Sequence, residues 1–435
     1  MALPHRVLPL IIFIATFCLA ALFAWRTPPW LAPDEPAHYA YVQHVATTGR
    51  PPRLEARCYD EPYKNALTST NFADEVDLSR FCYEGHQPPL FYYLAAPIYL
   101  LSDGSLLALR LFCALLGAGV AVAAWGIVRA VGGSERLALA TAGMVALLPQ
   151  HLAMIGSLNN DALTFLIVAL SVWQMLRLLV LGSHTSHTAW LKLGFLVGLA
   201  LLTKTLAWVV LPLSVLTLLL LRVKEPTLSI PSLTQRGLLV MAVAALCIVP
   251  WFGRNIAVYE GTDLLGLQKH DEIAVGQPRT TEEIERRGLE GTVSNGLQTT
   301  FNSFWGQFGW MKAPLKPREY LLLRIVSGAA LLGLARWLWQ RGASREGIDA
   351  RALLLFAVWL FLNAGALFYY NLEFVQYQGR YLFPALTPLA FFFMMGLGAL
   401  LPGRARPVPW LLFLLFLLYL DFLAVMERLP GMLTY

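Results

Sequence analysis

Long apolar runs alternate with short basic junctions along the chain, and two polar stretches break the alternation. Most runs are about 17–25 residues, the length of helix that crosses a hydrocarbon core of about 30 Å. They fall near 8–25, 105–128, 137–151, 160–181, 190–203, 206–221, 236–252, 320–340, 352–370, 380–401 and 408–426. Lipid offers no partner for backbone N–H and C=O groups, so such runs fold as helices. The pattern predicts an all-α integral membrane protein of about eleven transmembrane helices. The whole chain, 1–435, reads as a single polytopic membrane domain. The first run, Leu8 to Trp25, resembles a signal peptide but lacks a small-x-small cleavage site before Arg26, and reads as a retained span.

The basic residues orient the spans, because cytoplasmic loops carry an excess of Lys and Arg. His5 and Arg6 place the N-terminus in the cytoplasm. Arg129, Arg136, Arg177, Lys192, Arg222, Lys224, Arg236, Arg336, Arg341, Arg345, Arg351, Arg404 and Arg406 then share that side. Two large loops face outward, about 26–104 and about 255–318. Within the first, the aromatic segment 88–101 opens with Pro88-Pro89, is too short to cross, and reads as an interfacial helix. The same loop is rich in acids: Asp34, Glu35, Glu55, Asp60, Glu61, Asp74, Glu75, Asp77 and Glu84. In the second, Thr280-Thr281-Glu282-Glu283 has the form of a helix start. The aromatics Phe301, Phe304, Trp305, Phe308 and Trp310 follow it, as a lid, a binding platform or an interfacial belt.

Composition agrees: 57% of residues are hydrophobic and 14% charged, against about 25% charged in soluble domains. The net charge of +6 is explained by helix-end bases, and no aromatic–basic motif points to nucleic acid. Cys18, Cys113 and Cys247 lie in apolar runs. Cys58 and Cys82 lie in the first outer loop, where an oxidising compartment would let them pair.

Five short motifs carry candidate chemistry, all on the outer side. In Pro33-Asp34-Glu35-Pro36-Ala37-His38, Pro36 suits a first helical turn, which puts Asp34 or Glu35 at the cap. The dipole and backbone N–H groups would keep a carboxylate there ionised. His38, four residues on, shares a helical face with Asp34. His86 precedes the proline pair and sits near head-group level, as a phosphate contact or a solvated ring. Asn159-Asn160-Asp161 places a further acid among amides in a short outer hairpin. Lys204 interrupts an apolar run, where an ammonium is expensive unless functional; snorkelling to the interface is the structural alternative. In Gln378-Gly379-Arg380-Tyr381, the arginine can fork onto phosphate oxygens and Gly379 would let a ligand approach.

These motifs, with Pro250-Trp251-Phe252-Gly253-Arg254-Asn255, resemble in order and sidedness the GT-C superfamily of membrane glycosyltransferases. That superfamily includes protein O-mannosyltransferases and the aminoarabinose transferase that modifies lipid A. Among its branches the chain is similar to a bacterial one catalogued as a domain of unknown function. The resemblance implies a polyprenyl-phosphate sugar donor, an envelope acceptor and inversion at the anomeric carbon. It implies Asp34 or Glu35 as catalytic base, with Asp161 as a second acid. It assigns His86, Lys204, Arg380 and Tyr381 to the donor phosphate, and His38, Asn159, Asn160 and Arg254 to supporting roles. The site would face the periplasm or exterior from the cytoplasmic (inner) membrane. Relatives carry lysine before the proline pair where this chain has His86. Some members use a divalent cation; Asp34 and Asp161 would be its ligands, a poor set on their own. The rival readings are a lipid or small-solute transporter, which would place charges near the midplane, and an assembly protein, indifferent to Asp34.

Overall fold

The computed structural model describes residues 7–73, 75–259, 261–340 and 347–433. His5, Arg6, Asp74, Arg341 and Arg345 lie outside the described residues. α1 (Val7–Arg26) is followed by the first-loop helices α2 (Glu35–Thr48), α3 (Glu61–Ser69) and α4 (Leu90–Leu101). Next come α5 (Leu106–Ala130), α6 (Glu135–Ala146), α7 (Pro149–Ile155), α8 (Asp161–Leu181) and α9 (His187–Leu201). α10 (Val210–Lys224) and α11 (Ile230–Tyr259) lead to α12 (Leu267–Ile273) and α13 (Thr280–Trp305). A two-stranded antiparallel hairpin pairs Gln307 with Pro314 and Phe308 with Ala313. α14 (Pro317–Trp339), α15 (Ala350–Tyr370), α16 (Leu386–Ala399) and α17 (Pro407–Leu423) complete the bundle.

Among the described residues, nine helical segments are long and apolar enough to cross a membrane, or ten if one bent pair counts as a span. About eleven were expected. The difference is α9, whose 15 residues reach about 22 Å at 1.5 Å per residue. The expected span 137–151 is the bent pair: α6 and α7 meet at 63°. Pro149 causes the break, since the residue before a proline is pushed out of the helical region, and Leu148 is extended (φ −76°, ψ 113°). α4 is a 12-residue apolar helix, as the segment 88–101 predicts. The second loop folds as α12, α13 and the hairpin rather than as a simple connection.

Small residues let the helices approach, as in other membrane bundles. A Cβ on Gly333 would lie 2.0 Å from the Gly396 carbonyl, so α14 and α16 meet backbone to backbone. Large apolar side chains such as Leu246, Leu332 and Phe361 point outward, a surface suited to lipid. The aromatic cluster of the second loop packs inward instead. Phe304, Trp305 and Phe308 are buried; Trp305 meets Phe393 and Phe413 edge-on. Trp310 stacks on Phe72 of the first loop. This part of the cluster is core, neither lid nor interfacial belt.

Candidate active site

The first motif folds as read at its cap, but with a different use of its acids. Pro36 occupies the first turn of α2 and Asp34 is the N-cap, yet its side chain caps nothing. Asp34 sits in the left-handed region (φ 63°, ψ 0°), which Asp tolerates better than most residues with a Cβ. The twist turns its carboxylate away from α2. Oδ2 accepts from Arg380 Nη2 at 2.8 Å and Oδ1 from the Tyr83 hydroxyl at 3.0 Å. Burial pulls the Asp34 carboxyl up, but Arg380, His38 and the Tyr83 hydrogen bond outweigh it and hold the group below its ordinary value.

Glu35, the adjacent acid, points the other way. It is fully buried and gripped by Arg110, which donates to Oε1 at 2.8 Å and to Oε2 at 2.6 Å. The backbone N–H groups of Leu158 and Trp30 also donate to it. Both oxygens are committed, so Glu35 fastens α2 to α5 and to the turn before α8. Arg110 was not singled out in the sequence, although an arginine inside an apolar run is a default signal of a special role.

Asp161 opens α8, with its backbone N–H on Asn159 Oδ1 at 2.9 Å. Lys204, at the break between α9 and the short turn Thr205–Val209, donates to Asp161 Oδ1 at 2.6 Å. The ammonium is ion-paired in a largely buried position rather than snorkelling. Asn160 reaches toward Gln87 and the Thr203 carbonyl, both at 3.4 Å. Asn159 is spent on the turn, donating to Met154 O and Ser157 Oγ at 2.8 Å each.

The two ion pairs belong to one cluster. The charge of Arg380 acts on both Asp34 and Asp161. His38, hydrogen-bonded through Nδ1 to Tyr92 at 2.9 Å, feels Glu84, Lys204, Asp34 and Asp161, and burial lowers its pKa. Glu84, whose Oε2 is buried without a partner, therefore also faces the cluster. Tyr83 and Glu84 carried no distinguishing signal in the sequence. Tyr381 lies beside Arg380, its ring 5.4 Å from the guanidinium carbon.

The fold that holds this cluster has known counterparts. Residues 86–252 match the family model described as dolichyl-phosphate-mannose-protein mannosyltransferase. The oligosaccharyltransferase AglB of Archaeoglobus fulgidus, solved with an inhibitory peptide and a dolichol-phosphate, superposes at TM-score 0.54 and 14% identity. The match covers 96% of this chain and 56% of AglB. ArnT of Cupriavidus metallidurans, bound to undecaprenyl phosphate, superposes at TM-score 0.54 and 14% identity, covering 98% of this chain and 74% of ArnT. The chain has the GT-C fold. It spans about half the length of the archaeal oligosaccharyltransferases it matches. No curated protein matched the sequence.

Within the GT-C fold, three of the expected residues are committed to other contacts. His86 is neutral: burial takes its pKa down to about 4. Its Nδ1 donates to the Tyr83 carbonyl at 3.0 Å, its Nε2 faces the Gln87 amide at 3.3 Å, and its ring packs on His270. Arg254 binds Pro52 O, Asn255 Oδ1 and Tyr259 OH, stapling α11 to the first loop. Gly379 serves the protein rather than a ligand, since a Cβ would lie 2.4 Å from the Phe304 nitrogen. Cys58 and Cys82 are bridged. A divalent cation does not fit the acids as arranged. Among the described residues no three His, Cys, Asp or Glu side chains converge, and Asp34 and Asp161 are each paired to a cation.

Proposed function

We propose that this chain is a GT-C transferase that moves a sugar from a polyprenyl-phosphate carrier to an envelope acceptor, on the outer face of the cytoplasmic membrane. The observation that carries the reading is the pairing of Arg380 with Asp34 and Lys204 with Asp161 in one cluster at helix ends. A donor phosphate entering between the two cations competes for Arg380 and releases the Asp34 carboxylate. Asp34 then takes the proton from the acceptor hydroxyl as its oxygen bonds to the anomeric carbon. The bond from that carbon to the phosphate oxygen breaks, its electron pair stays on phosphate, and Lys204 and Arg380 neutralise the charge. Attack opposite the leaving group inverts the anomeric centre. Asp161 orients Lys204 and the acceptor, and Glu35 is a positioning residue held by Arg110. Tyr83 aims Asp34. His86 supplies neutral hydrogen bonding rather than charge.

The bridge between Cys58 and Cys82 supports an oxidising compartment for the first loop. The transporter alternative expects charged groups at broken helices near the midplane, whereas Asp34 and Asp161 stand at the N-terminal ends of α2 and α8. The test is transfer of label from a panel of polyprenyl-phosphate sugars into envelope material, by wild type and Asp34→Asn, with and without chelator. Transfer that Asp34→Asn abolishes and chelator spares is expected. Failure of every donor, with lipid movement intact in both proteins, would replace this reading with the transporter one.

A further inference from the structure

We infer that the end of the bundle opposite the acidic cluster binds the phosphodiester headgroup of an anionic glycerophospholipid. A cavity of about 440 Å³ opens there between the start of α6, the end of α16 and the start of α17. α5 sets the separation. It runs from Arg110, which grips Glu35, to Ala130, four residues before Ser134 at the cavity. Twenty residues of helix span about 30 Å, one hydrocarbon thickness. The cavity therefore lies at the opposite interface, where lipid phosphates are found.

Its chemistry is amphipathic. Arg136 and Arg406 line it with a single acid, Glu135, and the exposed Arg404 lies next to the lining residue Gly403 in the sequence. Guanidinium groups fork onto phosphate oxygens. Ser134 caps α6 by accepting from the Leu137 N–H, so the positive end of a 12-residue helix faces the same space. Met395, Ala399 and Trp410 supply apolar wall. Trp410 is fixed there: its indole donates to Met394 O at 2.6 Å, and a Cβ on Gly398 would lie 2.6 Å from its ring. A second cavity, of about 360 Å³ on the far side of α16 and α17, is lined wholly by apolar side chains. The polar, basic character is thus particular to the first. Cationic pockets between helices at a membrane interface suit anionic headgroups.

The test uses the full chain and native mass spectrometry against phosphatidylglycerol and phosphatidylcholine. Soluble glycerophosphoglycerol serves as a headgroup competitor. The expected result is one retained phosphatidylglycerol, no retained phosphatidylcholine, and no displacement by equal competitor. Arg136→Gln with Arg406→Gln should weaken retention by about tenfold. Ala399→Trp should do the same by filling the cavity with both charges kept. Equal retention of the two lipids, unchanged retention in both variants, or displacement by the soluble headgroup would overturn the inference. Glycosyl transfer is not the readout, so failure of the proposed activity leaves this test intact.

Discussion

Arg110→Met is the sharpest probe of how the site is held. Methionine keeps much of the stem and removes the charge. In the native chain the Arg110 and Glu35 side chains are 4% and 0% exposed. Arg110 also donates to the carbonyls of Ala24 (2.9 Å), Thr27 (2.6 Å) and Pro28 (3.1 Å), tying the end of α1 into the same knot. Its loss strands a buried carboxylate, and breaking such a pair from one side costs about 3–5 kcal/mol. Adding Glu35→Gln removes the stranded charge and keeps an acceptor for one of the Leu158 and Trp30 N–H groups, which bind different oxygens of Glu35. The double variant should regain at least about 2 kcal/mol of the loss. The assay is a double-mutant cycle on unfolding midpoints in detergent, read by tryptophan fluorescence. An Arg110→Met protein within about 1 kcal/mol of wild type, or a double variant no better than it, would refute the reasoning.

Asp34→Asn should lower initial transfer rates by about 10²–10⁴-fold, the usual weight of a general base, without changing the unfolding midpoint by as much as Arg110→Met. The Asp34–Arg380 pair contributes stability above the ordinary carboxyl pKa of about 3.9 and loses it as pH falls through the lower native value. kcat/KM for transfer, which reports the donor-free enzyme in which Arg380 still holds Asp34, should therefore show no acid limb from Asp34 above about pH 4. Burial depresses His86 to about 4 and His270 likewise, His86 adding to the effect on His270. Stability from that contact is full above about 6.5 and falls as pH drops toward 4; His270→Gln should flatten the midpoint over that window. Replacing Cys58 and Cys82 by serine should cost about 3 kcal/mol for a loop of this length. In intact cells the reduced pair should react with a membrane-impermeant maleimide, and failure to label would place the loop inside.

The spans were legible because hydrophobicity is an additive property of a window. The loop helices α4 and α13 were legible from prolines and acids at their starts. Counting was less secure where a feature is cooperative. Leu148 leaves the helix because of its neighbour Pro149, and α9 ends early at Leu201. In the site, residue types announced Asp34, Asp161, Lys204 and Arg380. Which partner each takes is set by contacts between distant segments: Asp34 meets Arg380 across 346 positions. The division of labour between Asp34 and Glu35 was not readable, because it rests on one backbone torsion. The resting role of Arg254 was hidden for a similar reason, since its partner Pro52 lies 202 positions away.

The bond between Cys58 and Cys82 has a temporal side. Cys82 directly precedes Tyr83, whose hydroxyl aims the Asp34 carboxylate. On the proposed function, a newly inserted copy would carry the groups assigned to catalysis before it had the link that steadies this turn, and would reach full activity only after its first loop met an oxidant.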